Sequence, residues 1–331
     1  MIVNIFYLLG YLFISFSVLA IISKFSYKLN LIDIPNERKK HIKPTAYTGG
    51  LALSLIYIVA IYIFDIYSQK LNLILSLSFL IGIVGFIDDK YDLNIGGKLS
   101  LQILPIIYLI ILENLNLTQL GNYNFFTLEL GALAIPFTLL SILFLINSFN
   151  YFDGTDGALG ITTISVLFIL YFLTNDYEIK LFLIIILIPI FSFLFFNFSL
   201  FKLPKLFLGD SGSLLLGFIV AFTLIHIGNK NIIHPILLAF SISIFVYEFL
   251  SINIIRLINK KNPFKANQDH LHHIILKKTK SIFQTNLILF FTNIFLFFIG
   301  YLSFSLINPI ASLISFLLLF KIFFSIRYKY R

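Results

Sequence analysis

The sequence predicts an all-α polytopic membrane protein of about eleven transmembrane helices, and three observations predict it. First, the chain of 331 residues is 59% hydrophobic and only 12% charged, with a mean hydropathy of +0.97; a soluble domain carries about 25% charged residues. Second, the apolar residues gather in runs near the roughly 20 residues a helix needs to cross hydrocarbon. Third, Lys and Arg are concentrated in alternate loops between those runs. A large soluble helical protein is excluded, since no soluble surface hides this much apolar area. Cysteine is absent, which removes disulfide frameworks and thiol chemistry. Tryptophan is absent as well, against 40 Phe and 17 Tyr, so any interfacial aromatic belt is built from Tyr and Phe.

The apolar segments lie near 2–22, 48–64, 71–87, 97–112, 130–147, 158–174, 180–198, 212–228, 234–255, 281–302 and 305–325. Helix is the expected element in each, because a spanning segment must satisfy its own backbone. The first run has no basic region before it and no small-residue cleavage site, so it reads as a retained span. The run at 97–112 is short, and Pro105 is expected to kink it. The loops alternate in charge. One set holds six Lys/Arg in 24–43, then Lys90 and Lys98, then Lys202 and Lys205, seven in 256–280 and four from Lys321 onward; the other holds only Lys70, Lys180 and Lys230. The positive-inside rule then puts the N-terminus outside and the C-terminus in the cytoplasm. The basic face would meet anionic headgroups and anionic substrates. No soluble linker, low-complexity tract or repeat interrupts the chain, which reads as one integral membrane domain over 1–331, with cytoplasmic loops near 23–47, 88–97, 148–157, 199–211 and 256–280.

The fifteen acids carry the functional information. Asp65, Glu113, Glu129, Asp176 and Glu178 fall on the outer turns. Asp88, Asp89 and Asp92 close the third span in GFIDDKYD, Asp153 and Asp156 lie in NSFNYFDGTDGALG, and Asp210 lies in FLGDSGS. Carboxylates against hydrocarbon are costly and tend to be functional. A helix N-cap would account for one of them, Asp210 before Ser-Gly-Ser, but not for three clusters at span ends on one face. Carboxylate and amide oxygens are hard ligands suited to Mg²⁺ or Mn²⁺. Nearby Gly154, Gly157, Gly209 and Gly212 let backbone approach a ligand, and Lys43, Lys98 and the 256–280 loop supply cations for phosphate. Acids, basic residues and a metal together describe a phosphoryl-transfer site. A cation-coupled transporter, the reading from another class, would place its acids in mid-membrane. In NPFKANQDHLHHIILKK, His270, His272 and His273 crowd three of four positions. Zinc is one use for them; without cysteines, phosphate binding or acid–base work is preferred.

Five motifs in order give this chain a resemblance to the polyprenyl-phosphate N-acetylhexosamine-1-phosphate transferases, glycosyltransferase family 4. They are the basic loop before Gly49-Gly50, the DDxxD-type Asp88-Asp89-Lys90-Tyr91-Asp92 with Lys98, NxxNxxDGxDGxxG over Asn147–Gly160, FLGDSGS over Phe207–Ser213, and HLHH over His270–His273. Together they cover essentially residues 30–280. The resemblance implies transfer of a sugar 1-phosphate from a UDP-N-acetylhexosamine to undecaprenyl phosphate at the cytoplasmic face of a bacterial plasma membrane, with UMP released. It implies Mg²⁺, with Mn²⁺ as a substitute, held by Asp210 with Asn150. Asp88 or Asp89 would deprotonate or orient the lipid phosphate, and Lys98 would bind the diphosphate. Phe207 would stack on uracil. Asp153 and Asp156 would line the nucleotide pocket or take part in catalysis. Lys43, Asp92 and the three histidines would contact substrate. The partners implied are the UDP-sugar, the polyprenyl phosphate and membrane lipid, with no nucleic acid, and a homodimer is allowed for.

Two departures stand out. Relatives often carry Asp-Arg where this chain has Asn267-Gln268, so that Arg256, Lys265 or Asp269 would have to compensate. The His-rich signature of the related peptidoglycan translocase is also missing, which favours the WecA/TagO-like branch over the translocase alternative.

Overall fold

The computed structural model describes residues 5–34, 44–261 and 270–330. In chain order the elements are α1 (Ile5–Lys28), β1 (Ile32–Asp33), β2 (Thr45–Ala46), α2 (Gly49–Ile63), α3 (Gln69–Tyr91), α4 (Ile95–Ile107), β3 (Gln119–Asn122), β4 (Thr127–Glu129), α5 (Ala134–Phe152), α6 (Ala158–Leu173), α7 (Tyr177–Asn197), α8 (Gly209–Asn229), α9 (Pro235–Ser241), α10 (Ser243–Ile258), α11 (Leu271–Thr279), α12 (Ile282–Leu306) and α13 (Pro309–Lys329). Among the described residues, eight helices are long and apolar enough to cross a membrane, and α9 with α10 makes a ninth if that bent pair is one span. The apolar α2 and α6 are shorter. Every predicted apolar segment therefore coincides with a helix or helix pair. Large apolar side chains such as Phe6, Phe13, Phe291 and Leu317 stand exposed, as lipid-facing residues do.

The all-α expectation needs one amendment. Two short antiparallel ladders, β1–β2 and β3–β4, close turns between helices. They are two to four residues long, too short for any periodicity to announce them.

The helices fall into two compact units: residues 1–114 with 176–223, and residues 115–175 with 224–331. In the first, α7 is held by tyrosines. Pro189 cannot donate to the carbonyl of Ile185, four residues earlier. Tyr11 of α1 donates its hydroxyl to that carbonyl at 3.2 Å, and Tyr57 of α2 donates to Ile186 O at 3.0 Å. In α4, which contains Pro105, the helix passes into a π-helical turn over Tyr108–Leu112, a common way to absorb a missing hydrogen bond.

In the second unit, the single apolar run 234–255 is broken. α9 and α10 meet at 72° around Ile242, whose backbone is non-helical (φ −112°, ψ 17°). No proline causes the bend. Asn293 of α12 reaches into the gap, donating to Ser241 O and Ser165 Oγ at 2.9 Å and accepting from Ile244 N–H at 3.4 Å. A side chain that satisfies the freed backbone groups lets a helix break inside an apolar unit. We expect Asn293→Leu to lower thermal stability in detergent by about 1–3 kcal/mol, since it orphans buried polar groups. A melting curve matching wild type would refute that role.

Candidate active site

In the first unit, α3 ends in the Asp88-Asp89 pair, and Asp92, in the left-handed conformation (φ 51°), stops the helix. The motif expected in the loop 88–97 thus sits on the last helical turn. Asp89 points at the start of α8 and accepts from the N–H groups of Asp210 (3.0 Å) and Ser211 (3.2 Å). The first amides of a helix have no partner within it; a carboxylate from another helix supplies one here and suits the positive end of the dipole. Asp89 is therefore the cap of α8, a use that its motif does not reveal. Asp210, expected in the loop 199–211, lies in the first turn of α8.

Asp88 divides its carboxylate. Its Oδ1 accepts from Leu93 N–H at 2.9 Å, and its Oδ2 pairs with Lys98 Nζ at 2.6 Å. Lys98, in the first turn of α4, also donates to Asp210 Oδ2. α4 is positioned for this by Asn94, whose side chain accepts from Gly97 N–H at 2.7 Å. The loop carrying Phe207 is bound to the start of α2: Phe207 N–H donates to Ala46 O (2.8 Å), Gly49 N–H to Phe207 O (3.0 Å) and Gly50 N–H to Leu208 O (2.8 Å). The Phe207 ring is half-buried and carries Lys205 Nζ 5.3 Å from its centre. Gly209 links this loop to α8 at φ +72°, and a Cβ there would meet both Asp89 Oδ2 and Tyr47 O at 2.6 Å. Asp92 is exposed.

The donor chemistry of this cluster suits Mg²⁺. Asp88 and Asp210 present hard oxygens that already share one cation, and Mg²⁺ is commonly held by one or two carboxylates plus substrate phosphates. Among the described residues, no three His, Asp or Glu side chains converge as a metal centre of their own.

The second unit holds the other motifs. Asn147 and Asn150 lie on α5, which runs on to Phe152 where a loop from 148 was expected; the Asn147 amide donates back to Leu143 O at 2.7 Å. Asp153 ends that helix, its N–H donating to Asn150 O. Asp156 is fixed through its backbone, since its carbonyl accepts from Asn286 of α12 at 2.9 Å. The 153–157 turn lies against the histidines: a Cβ on Gly154 would collide with the His272 and His273 rings. His270 precedes α11, and His272 and His273 sit in its first turn. The ring centres of His272 and His273 are 4.2 Å apart, and His270 stacks 5.8 Å from His272. Tyr151 packs 4.8 Å from His270 and beneath Arg256. His270 Nδ1 and His272 Nε2 are buried with no hydrogen-bond partner among the described residues. Lys43, Lys265, Asn267, Gln268 and Asp269 lie outside the described residues.

Burial, with the positive charges of Arg256, His273 and Arg327 adding to it, pushes His270 down to about 3. Burial also holds His272 well below the usual histidine range, with neighbouring His273 and His270 adding. Both rings are therefore neutral at pH 7.

The cluster in the first unit sets two acids around one lysine at a helix start, in a chain rich in helices apolar enough to cross a membrane. A family model described as glycosyl transferase family 4 matches residues 71–228. An undecaprenyl-phosphate alpha-N-acetylglucosaminyl 1-phosphate transferase of Yersinia pestis is 27% identical over 275 residues, 81% of this chain and 75% of that one. The protein of that name from Escherichia coli K12 is 26% identical over 261 residues, 77% and 71% of the two chains. A Bacillus subtilis 168 protein, named a probable undecaprenyl-phosphate N-acetylglucosaminyl 1-phosphate transferase, is 30% identical over 265 residues, 77% and 72%. The chain belongs to glycosyl transferase family 4.

Two outcomes follow from this geometry. Gly209→Ala forces a left-handed residue to carry a Cβ, and should cost about 1–2 kcal/mol from the backbone alone. Asp89→Ala removes a cap of similar worth, roughly 0.5–2 kcal/mol, whereas Asp89→Asn keeps one of the two acceptor oxygens and should melt between that variant and wild type. Melting curves of the three check both. The histidines set a pH dependence. Their folded values lie below the ordinary 6.5 or so, so the unfolded chain takes up protons first as pH falls. Stability is full above about 6.5 and declines toward 3. Carbon-labelled histidine NMR should show His270 and His272 unchanged between pH 5 and 8; titration of either near 6.5 would overturn the assignment.

Proposed function

We propose that this protein transfers an N-acetylhexosamine 1-phosphate, GlcNAc 1-phosphate or that of a related 6-deoxy sugar, from its UDP donor to undecaprenyl phosphate. The product would begin a cell-surface glycan of O-antigen or teichoic type. The observation that carries this is the Asp88–Lys98–Asp210 bridge, in a chain whose relatives are named for that transfer. The setting we propose is a bacterial plasma membrane with eleven crossings, the N-terminus outside and the site on the cytoplasmic face, supported by the basic residues of alternate loops.

A lipid-phosphate oxygen attacks the sugar-bearing phosphorus of the donor. The bond from that phosphorus to the bridging oxygen breaks, UMP leaves, and the sugar's own C–O bond survives. Asp88 is the better of the two paired acids for orienting or deprotonating the lipid phosphate, because Asp89 is committed to backbone amides. Lys98, held between two carboxylates, is a cation poised to move onto a diphosphate, where charge-assisted hydrogen bonds are strong. Mg²⁺ held through Asp210 would supply neutralisation of diphosphate charge. Phe207 offers a ring for uracil. Asp153, Asp156 and the histidines are assigned to the nucleotide, phosphate and sugar by motif.

The test is UMP release by purified full-length protein with undecaprenyl phosphate, Mg²⁺ and a panel of UDP-sugars. One donor should be turned over, EDTA should abolish release, and Asp88→Asn and Asp210→Asn should each lose about 100-fold or more, the scale of removing one preorganised charge partner. Undiminished turnover in both variants would sink the assignment.

A further inference from the structure

Outside the clusters above, the described residues of the second unit include a buried ion pair. Glu248 of α10 and Arg327 in the last turn of α13 are both almost wholly buried. Arg327 forks onto the carboxylate, Nε to Oε2 at 2.6 Å and Nη2 to Oε1 at 2.9 Å. Two buried charges are hard to justify as stability alone, since their desolvation offsets most of the attraction. Glu248 has a third bond: its Oε1 accepts from the N–H of Leu271 at 2.8 Å. Leu271 is the first residue of α11, the helix that carries His272 and His273. At the other end of α11, Lys278 Nζ lies 3.4 Å from the centre of the Tyr330 ring, just past α13. Tyr247, next to Glu248, fixes α10 to α13 by donating to Phe316 O at 2.7 Å.

We infer that the C-terminal end of α13 is a clamp for the histidine helix. Arg327 charges and orients Glu248, Glu248 anchors the first turn of α11, and Tyr330 anchors the last. Glu248, Arg327 and Tyr330 are positioning residues: they set where His270, His272 and His273 stand without touching substrate. The inference rests on the proposed function for the part the histidines play, and on the geometry alone for the clamp. A bidentate fork explains why arginine serves here, because lysine cannot hold both carboxylate oxygens in fixed orientation. It also gives the end of the chain a use beyond spanning.

The experiment uses full-length protein in lipid nanodiscs, with hydrogen exchange over 271–279 and UMP-release kinetics with UDP-GlcNAc read in parallel. Single substitutions leave a lone buried charge and invite misfolding, so paired variants are compared. Glu248→Met with Arg327→Met removes both charges and the acceptor for Leu271. Glu248→Gln with Arg327→Gln removes the charges but keeps an amide oxygen there. We expect the Met pair to exchange its α11 amides about ten-fold faster while α5 stays protected. Its donor KM should rise about ten- to hundred-fold, the scale of a misplaced site, with kcat changed less. A merely structural role would lower the active fraction and leave KM alone. The Gln pair should lie between the Met pair and wild type. Wild-type exchange and KM in the Met pair would overturn the clamp. If neither pair folds, Tyr330→Leu decides: faster exchange at Lys277–Thr279 supports it and unchanged exchange overturns it. If wild type releases no UMP with any donor, the functional reading falls, while the exchange comparison still judges the clamp.

Discussion

A helix that begins at the edge of hydrocarbon has amides that nothing in the helix can satisfy, and the first unit is organised around meeting that demand for α8. Asp89 meets it from the end of α3. Once it does, the start of α8 is fixed beside the end of α3, Asp210 stands beside Asp88, and Lys98 finds two carboxylates to bridge. The Phe207 loop is then held by backbone bonds to the start of α2. Remove the acceptor and the reactive groups lose their common reference point. The second unit solves the same problem again: Glu248 accepts the first amide of α11, and there too the helix so anchored carries residues assigned to chemistry.

The two solutions differ electrostatically. Asp89 sits among other acids and one shared lysine, so the first cluster is rich in negative charge and ready for a cation. The surroundings of the histidines are positive. Arg256 lies over Tyr151, which packs on His270; burial keeps His270 and His272 neutral, with Arg256 adding at His270 and Arg327 at both. An anion brought to these rings would reverse the balance, stabilising the protonated form.

Much of this was legible in the sequence because the hydrocarbon solvent imposes strong rules. Each apolar run became helix, and the acid clusters fell at helix ends. What stayed hidden depends on partners far along the chain. Nothing in GFIDDKYD tells which aspartate caps a helix that starts at residue 209. The break at Ile242 was invisible because its cause, Asn293, lies fifty residues on in an apolar run. Glu248 did leave a trace, a single acid within an apolar segment, which is functional by default in a membrane chain. Its partner Arg327 read only as topology, one of four basic residues in the tail. The loop residues predicted at 88, 150 and 210 lie on helix ends instead; at 210 the helix starts early because its first amides find the Asp89 carboxylate.

The DDxxD-type motif can be resolved into three separate jobs by this logic. On a helix, residues one apart diverge by about 100° and residues four apart share a face. Asp88 and Asp89 must therefore look in different directions, and they do, toward Lys98 and toward the start of α8. Asp92 would return to the face of Asp88, where a third carboxylate would overload one lysine. Its left-handed backbone takes it out of the helix instead, and its N–H closes the last turn onto Asp88 O at 2.8 Å. The spacing thus yields one acid paired with Lys98, one for the scaffold and one to end the helix that presents them.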